Sequence, residues 1–214
     1  MKNPSCIDHV DIQNMDGRYR NNFINSLSGY KSANLIGTEN NGLSNLALFS
    51  SAVHVGANPP LMGLVSRPHT VPRHTLENIE ATGFYTINSV SKTFIKQAHH
   101  CSARSDRDHS EFDFSGLNYQ RLDCFSAPFV KESNLKLAMK LDDVLHIKRN
   151  GTVFIVGEIM SAYLPQEAIY DDGFIDHEKL STVCISGLDS YHTVGHSERF
   201  EYAKNTKAPS SKFS

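Results

Sequence analysis

From Asn40 to Ser66 the chain carries no Asp, Glu, Lys or Arg. An uncharged run of that length either crosses a membrane or lies inside a folded core. Asn58-Pro59-Pro60 and scattered Ser and Asn residues interrupt it, whereas a membrane span needs about 20 mostly apolar residues in a row. The run therefore reads as buried strands, with no membrane role. Turn signals divide it. Asn41-Gly42 is a hairpin signal, because both residues tolerate positive φ. Gly56 to Pro60 marks a second turn. The expected pieces are a strand over Ser32 to Thr38, a partner over Leu43 to Val55 and a third strand over Leu61 to Ser66. Three strands joined by tight turns predict an antiparallel meander.

The remaining chain extends this pattern. Thr75 reads as the N-cap of a helix over Leu76 to Ala81, with early acids at its positive end and Gly83 just past its C-terminus. Phe84 to Val90 reads as a strand, and Ser91 as the cap of a second helix running from Lys92 to about His100. Cys101 to Gly116 is polar and reads as loop or short turns. Leu135 to Arg149 and Thr152 to Leu164 form the clearest long hairpin, with Asn150-Gly151 at its tip. Thr182 to Ser186 is a weaker strand, and the tail from Lys204 is expected to be mobile. Many strands, short turns and few helices predict a mainly β chain with a barrel-like antiparallel sheet. The regular strand–helix alternation of a parallel α/β fold is absent.

The chain has 214 residues, a length that suits one domain, and buries enough surface to need no disulfide or metal staple. Lys plus Arg (21) against Asp plus Glu (23) leaves a formal charge of −2, which argues against a nucleic-acid binder. Cys6, Cys101, Cys124 and Cys184 show no CxxC spacing. The N-terminal MKNPSCIDHVDIQNMDGRYR lacks the apolar core of a secretory signal. Reduced thiols and a cytoplasmic location are the expectation.

Several chemistries lack their motif. No GxGxxG, P-loop, HExxH or GxSxG occurs. His99-His100-Cys101 with Asp106, Asp108 and His109 carries metal-binding residue types, but in no familiar spacing, and no metal is expected. Cys101 near Arg104 has the charge pattern of a low-pKa thiol, although an inert buried Cys is the commoner case. The informative stretch is SRPHTVPRHT. Ser66, Arg67, Thr70, Arg73 and Thr75 gather just ahead of a helix start. Guanidinium forks, short hydroxyls and free helix N–H groups are what a phosphate needs. The plainer reading is a helix cap beside two solvated arginines. Upstream, Ala47, Ser50, Ser51 and Ala52 place small residues and hydroxyls in a buried strand. A flat ring can lie on such a surface, or the Ser side chains can simply bond back to the chain.

The ordered series NLALFS…NPP, LMGLVSRP, RHTLENIEATGFYTIN, HHCSARSDRDHSEF and GTVFIVGEI, ending in ISGLDSYHTVGHSERFEYA, resembles the flavin reductase-like family and most of all its bacterial flavoredoxin-like branch. The resemblance covers about Ser32 to Leu164. It implies an antiparallel split β-barrel that binds FMN. A single domain over 1–214 follows, with a barrel core at about 30–165 and with the segments 1–29 and 166–214 packed on it. It also implies a homodimer with FMN at or near the subunit interface. Backbone groups of Asn45, Leu46 and Ala47, in a strand that includes Phe49, would run along the ring and ribityl chain. Ser50 and Ser51 would bond ribityl hydroxyls or phosphate. Ser66, Arg67, Arg73 and Thr75 would hold the phosphate. Asn88, His99 and Ser102 would lie near the ring. The loop between Ser66 and Thr75 is longer than in the simplest members, so which arginine meets the phosphate stays open.

Flavin carries hydride chemistry itself, so no catalytic side chain is assigned. His54, His99 and Tyr191 are candidates for shaping the pocket of a nicotinamide or acceptor. Three functions remain: an NADH- or NADPH-dependent flavin reductase, with a monooxygenase as one partner; an FMN electron carrier serving a protein; and a flavin-free barrel.

Overall fold

The structure, a computed structural model, describes residues 4–212. Helices α1 (His9–Asn14) and α2 (Gly17–Leu27) come first, capped by the Asp8 and Asp16 carboxylates, and neither buries a residue. Strands β1 (Lys31–Ser32), β2 (Asn34–Asn40), β3 (Leu43–Phe49), β4 (Val53–Ala57) and β5 (Pro60–Ser66) follow. Next are α3 (His74–Thr82), β6 (Phe84–Ser89), α4 (Ile95–His100) and α5 (Glu111–Ser115). The short pair β7 (Tyr119–Gln120) and β8 (Phe129–Val130) precedes the long hairpin β9 (Lys136–Ile147) and β10 (Thr152–Tyr163). A single 3₁₀ turn at Gln166–Ala168 then leads to β11 (Val183–Ser186) and β12 (Ser190–Thr193).

Seven strands form one antiparallel sheet in the order β3-β2-β6-β9-β10-β5-β4. The Asn41-Gly42 turn is as expected, with φ of 51° and 78°. The expected meander is not. Leu43 to Val55 is two strands, and they lie on opposite edges of the sheet. The chain leaves β3 at Ser50, and the Ser51 hydroxyl donates to the Val65 carbonyl at 3.1 Å and accepts from the Val65 N–H at 3.0 Å. That side chain replaces a ladder pair and turns the backbone toward β5.

This link dictates the shape of the sheet. Seven strands laid flat would put the two edge strands about 29 Å apart, at ~4.8 Å per gap. The residues between β3 and β4 can reach roughly 14 Å when fully extended. The sheet therefore curls until its edges approach. The interior is filled by Ile36, Leu64, Leu76, Ile79, Tyr85, Ile87, Met139, Val153 and Ile155, so α3 seals one end of the barrel with Leu76 and Ile79. A second cluster, with Leu35, Leu46, Val90, Phe94, Phe112 and Val130, lies outside it and takes in Val183 and Ile185 of β11. β11 pairs with β1 and β12.

Three helix details differ from expectation. Thr75 is not the cap of α3: Arg73 holds that position without a side-chain bond, and Thr75 is the second helical residue. The Glu77 carboxylate instead reaches back to the Arg73 N–H at 3.0 Å. The second helix begins at Ile95, because the Ser91 hydroxyl accepts from Thr93 N–H in a turn and Ser91 bridges to Thr182. Inside the expected loop, α5 forms behind a Ser110–Asp113 capping box and stops at Gly116 with φ of 77°. The tail does not run free within the described residues. It folds back through Glu201–Ser210 and Lys212–Arg199 backbone bonds, and Lys212 Nζ meets Asp172 at 2.6 Å.

Candidate functional site

Where β5 ends and α3 begins, Ser66 and Thr75 are buried and Arg73 is half-buried. Arg73 donates from Nε to the Pro68 carbonyl at 3.2 Å, which folds the intervening loop against the helix start. Burial lowers the Arg73 pKa, and the nearby charges of Arg67 and Arg104 lower it further. Arg67 and Arg104 thus lie near enough for their charges to act on Arg73, and none of the three guanidiniums has a carboxylate partner among the described residues. Arg73 is the N-cap of α3, whose first-turn backbone N–H groups point outward without intrahelical acceptors. The loop carrying Arg104 is held there by Arg107, which bonds Asn78 Oδ1 at 3.3 Å and pairs with Glu77. Glu77 is also bonded by His69 at 2.8 Å, so this carboxylate is already engaged. Burial and the Arg107 charge lower the His74 pKa, with Asp106 opposing. The imidazole beside the cluster is thereby biased toward its neutral form.

β3 is tied at both ends to this collar. Asn45 Nδ2 donates to Thr75 Oγ1 at 3.0 Å, and the Ser51 hydroxyl holds Val65, next to Ser66. Residues 31–176 match the family model described as the flavin reductase like domain. The chain belongs to the flavin reductase-like family. Its fold is the expected split β-barrel. This flavin reductase-like chain shares 50% identity and a TM-score of 0.90 with a flavin reductase-type protein with a split barrel domain from Shewanella frigidimarina NCIMB 400, over 94% of this chain and 100% of the other. The nitrilotriacetate monooxygenase component B of Bacillus cereus shares 18% identity at a TM-score of 0.79, over 93% of this chain and 100% of that one. The flavoredoxin of Desulfovibrio vulgaris (Miyazaki F) shares 22% at 0.69, over 84% and 93%. The last two likenesses concern the fold alone.

The remaining site residues of this flavin reductase-like chain divide by position. Leu46 is fully buried and turns its N–H away from β2, where Glu111 Oε2 accepts it at 2.8 Å. Its N–H is therefore spent within the protein. Ala47 pairs with Ile36 of β2, and Phe49 packs against the barrel interior. Ser50 is half-buried at the strand end. Ser51 is the backbone-bonded Ser of the plainer reading. Asn88 is spent within the sheet. It is fully buried, donates to the Leu35 carbonyl and Thr86 Oγ1, and accepts from the Val130 N–H. Its amide fastens β6 to β2 and β8. His99 lies in the last turn of α4 and Ser102 just past it. His99 Nδ1 lies 3.0 Å from the Tyr191 hydroxyl, and Ser102 donates to the His99 carbonyl. Burial is the main cause that pushes the Tyr191 phenol up to about 12.

Cys101 is the inert kind. It is buried, its thiol is pushed up to about 12 chiefly by burial, and it donates to the Gln97 carbonyl. Among the described residues no three His, Cys, Asp or Glu side chains gather closely enough to hold a metal ion. Sequence reasoning missed Arg107 and Glu111, and it read Arg104 only as a neighbour of Cys101. All three lie in the polar stretch that reads as loop, and the signal within it was the Ser110-x-x-Asp113 capping box.

Proposed function

We propose that the protein binds FMN and acts as a flavin reductase, passing hydride from NADH or NADPH to the flavin. The observation that carries this reading is the set of three arginines without carboxylate partners at the start of α3. A dianionic phosphate supplies the missing counter-charge, and the donor set of guanidiniums and helix N–H groups fits it. Ser66, Arg67, Arg73 and Thr75 would hold the phosphate, while β3 from Asn45 onward, with Ser50 just past its end, would lie along the rest of the molecule. Bound FMN supplies the hydride chemistry. The chain supplies binding and orientation, and the His99–Tyr191 pair would line the outer pocket.

The working unit in this reading is a homodimer. Val53, Val65, Leu145 and Ile147 share the outer sheet face by register and are 38–49% exposed, an apolar surface that a second copy would cover. A light-scattering mass of 23.9 kDa in solution would refute the dimer. A cytoplasmic setting suits the four unpaired cysteines, Cys6, Cys101, Cys124 and Cys184. Among the described residues no helix is long and apolar enough to cross a membrane.

The test is an anaerobic titration of FMN-loaded protein with NADH and NADPH, followed through the flavin spectrum. Bleaching within the mixing time by either nicotinamide is expected. Bleaching only by a reduced protein donor would replace this reading with that of an electron carrier. Failure to bind FMN at all would leave a flavin-free barrel.

A further inference from the structure

We propose that Arg104 is a third guanidinium ligand of the cofactor phosphate and sets the preference for a phosphorylated flavin over an unphosphorylated one. The proposal rests on the FMN reading above and adds a residue from a different segment. Ser66 and Arg67 end β5, and Arg73 to Thr75 begin α3. Arg104 comes from the turn after α4, which is distant in the chain.

The turn has a fixed course. Ser102 and Ala103 N–H groups bond back to His99 and His100 carbonyls at 3.0 Å each. The Ser105 hydroxyl bonds the His109 carbonyl at 2.6 Å. Two residues further along, Arg107 is spent on Asn78 and Glu77, which anchors the turn over the first half of α3. Arg104 is left exposed, its charge acts on Arg73, and it has no carboxylate partner among the described residues. The Glu77 carboxylate beneath the turn is already bonded to Arg107, His69 and the Arg73 N–H.

Three like charges held together repel one another, and water only partly screens them. A phosphate dianion placed among them turns each repulsion into attraction. Two arginines already match the charge of a dianion, so the third adds selectivity: it makes the empty site less favourable and the phosphate-filled one more so. A flavin lacking the phosphate gains nothing from Arg104. The prediction is therefore about a ratio of affinities, which a purely structural role would not move.

The experiment measures FMN and riboflavin dissociation constants by fluorescence titration for native protein, Arg104→Ala and Arg104→Lys. Loss of one charge-assisted hydrogen bond weakens FMN roughly 10- to 100-fold in Arg104→Ala, with riboflavin unchanged within about twofold. Arg104→Lys keeps the charge but not the fork, and recovers part of the loss. An FMN-to-riboflavin ratio in Arg104→Ala equal to the native ratio overturns the proposal and leaves the FMN reading standing. Equal weakening of both flavins also overturns it, assigning Arg104 to the shape of the loop. Native protein that binds neither flavin overturns the FMN reading and this inference with it.

Discussion

Replacing Glu111 removes the acceptor that secures the outer edge of β3. Its carboxylate is 5% exposed and takes the Leu46 N–H at 2.8 Å, while Ser110 beside it bonds the Ser44 hydroxyl at 3.0 Å. β3 is the edge strand of the sheet, so Leu46 N–H has no strand partner on that side. Alanine at 111 leaves the N–H buried and unpaired. Glutamine keeps an oxygen acceptor but no charge. The stability difference between Glu111→Ala and Glu111→Gln therefore isolates the bond, at about 1–3 kcal/mol. At ~2–4 °C per kcal/mol for a chain of this size, alanine should melt roughly 2–12 °C below glutamine.

The pH trend tests the charge separately. Burial raises the Glu111 pKa, and the Leu46 N–H bond opposes the rise without cancelling it. The folded state thus binds the proton more tightly than the unfolded chain. The contribution of this group to stability is full below the unfolded carboxyl pKa of about 4.3 and is lost as pH rises through the higher folded value. Glu111→Gln has no such loss. Its melting temperature should gain on the native protein as pH rises from about 4 to 7. The assay is a set of circular dichroism melts across that range. Equal melting temperatures for the alanine and glutamine variants would refute the role of the bond. A gain that shrinks with rising pH would refute the raised pKa.

Two further outcomes follow from packing. Gly37→Ala should lower stability by about 2–4 kcal/mol, because its Cβ would press on the Pro128 carbonyl and lie 2.6 Å from Thr86 Oγ1, which donates to that carbonyl; chemical denaturation reads it, and an unchanged midpoint would show that β2 and the Pro128 segment shift apart freely. Asn88→Ala should cost about 2–4 kcal/mol, since it leaves the buried Val130 N–H and Leu35 carbonyl short of a partner. If Asn88→Ala instead left the melting temperature unchanged but weakened FMN, Asn88 would return to the ring-side set.

Much of the local structure is legible in the chain because it depends on near neighbours. Asn41-Gly42 makes its hairpin and Gly83 ends α3, since positive φ is written into those residue types. The long β9–β10 hairpin shows in its apolar pattern and in Gly151, with φ of 74°. The Ser66–Thr75 collar shows because its arginines and hydroxyls are close in sequence. Thr75 was misplaced by two residues because Ser, Thr, Asp and Asn are preferred caps, whereas here Glu77 supplies the bond from within the helix.

Other features depend on the closed barrel. Short turns alone suggest that each strand pairs with the next, and only the whole sheet shows β3 and β4 on opposite edges, with Ser51 hooked to Val65. Asn88 looks like a polar residue at a strand end, yet burial between three segments consumes its amide. Arg104 reads as loop until Arg107 and Asn78 bring its turn to α3. Turns, strands and the family can be read along the chain, because those follow from backbone preferences and the order of short motifs. Which polar groups are spent inside, and which charges meet across distant segments, emerges only in the folded barrel, because long-range contacts form only when the curled sheet buries its apolar face.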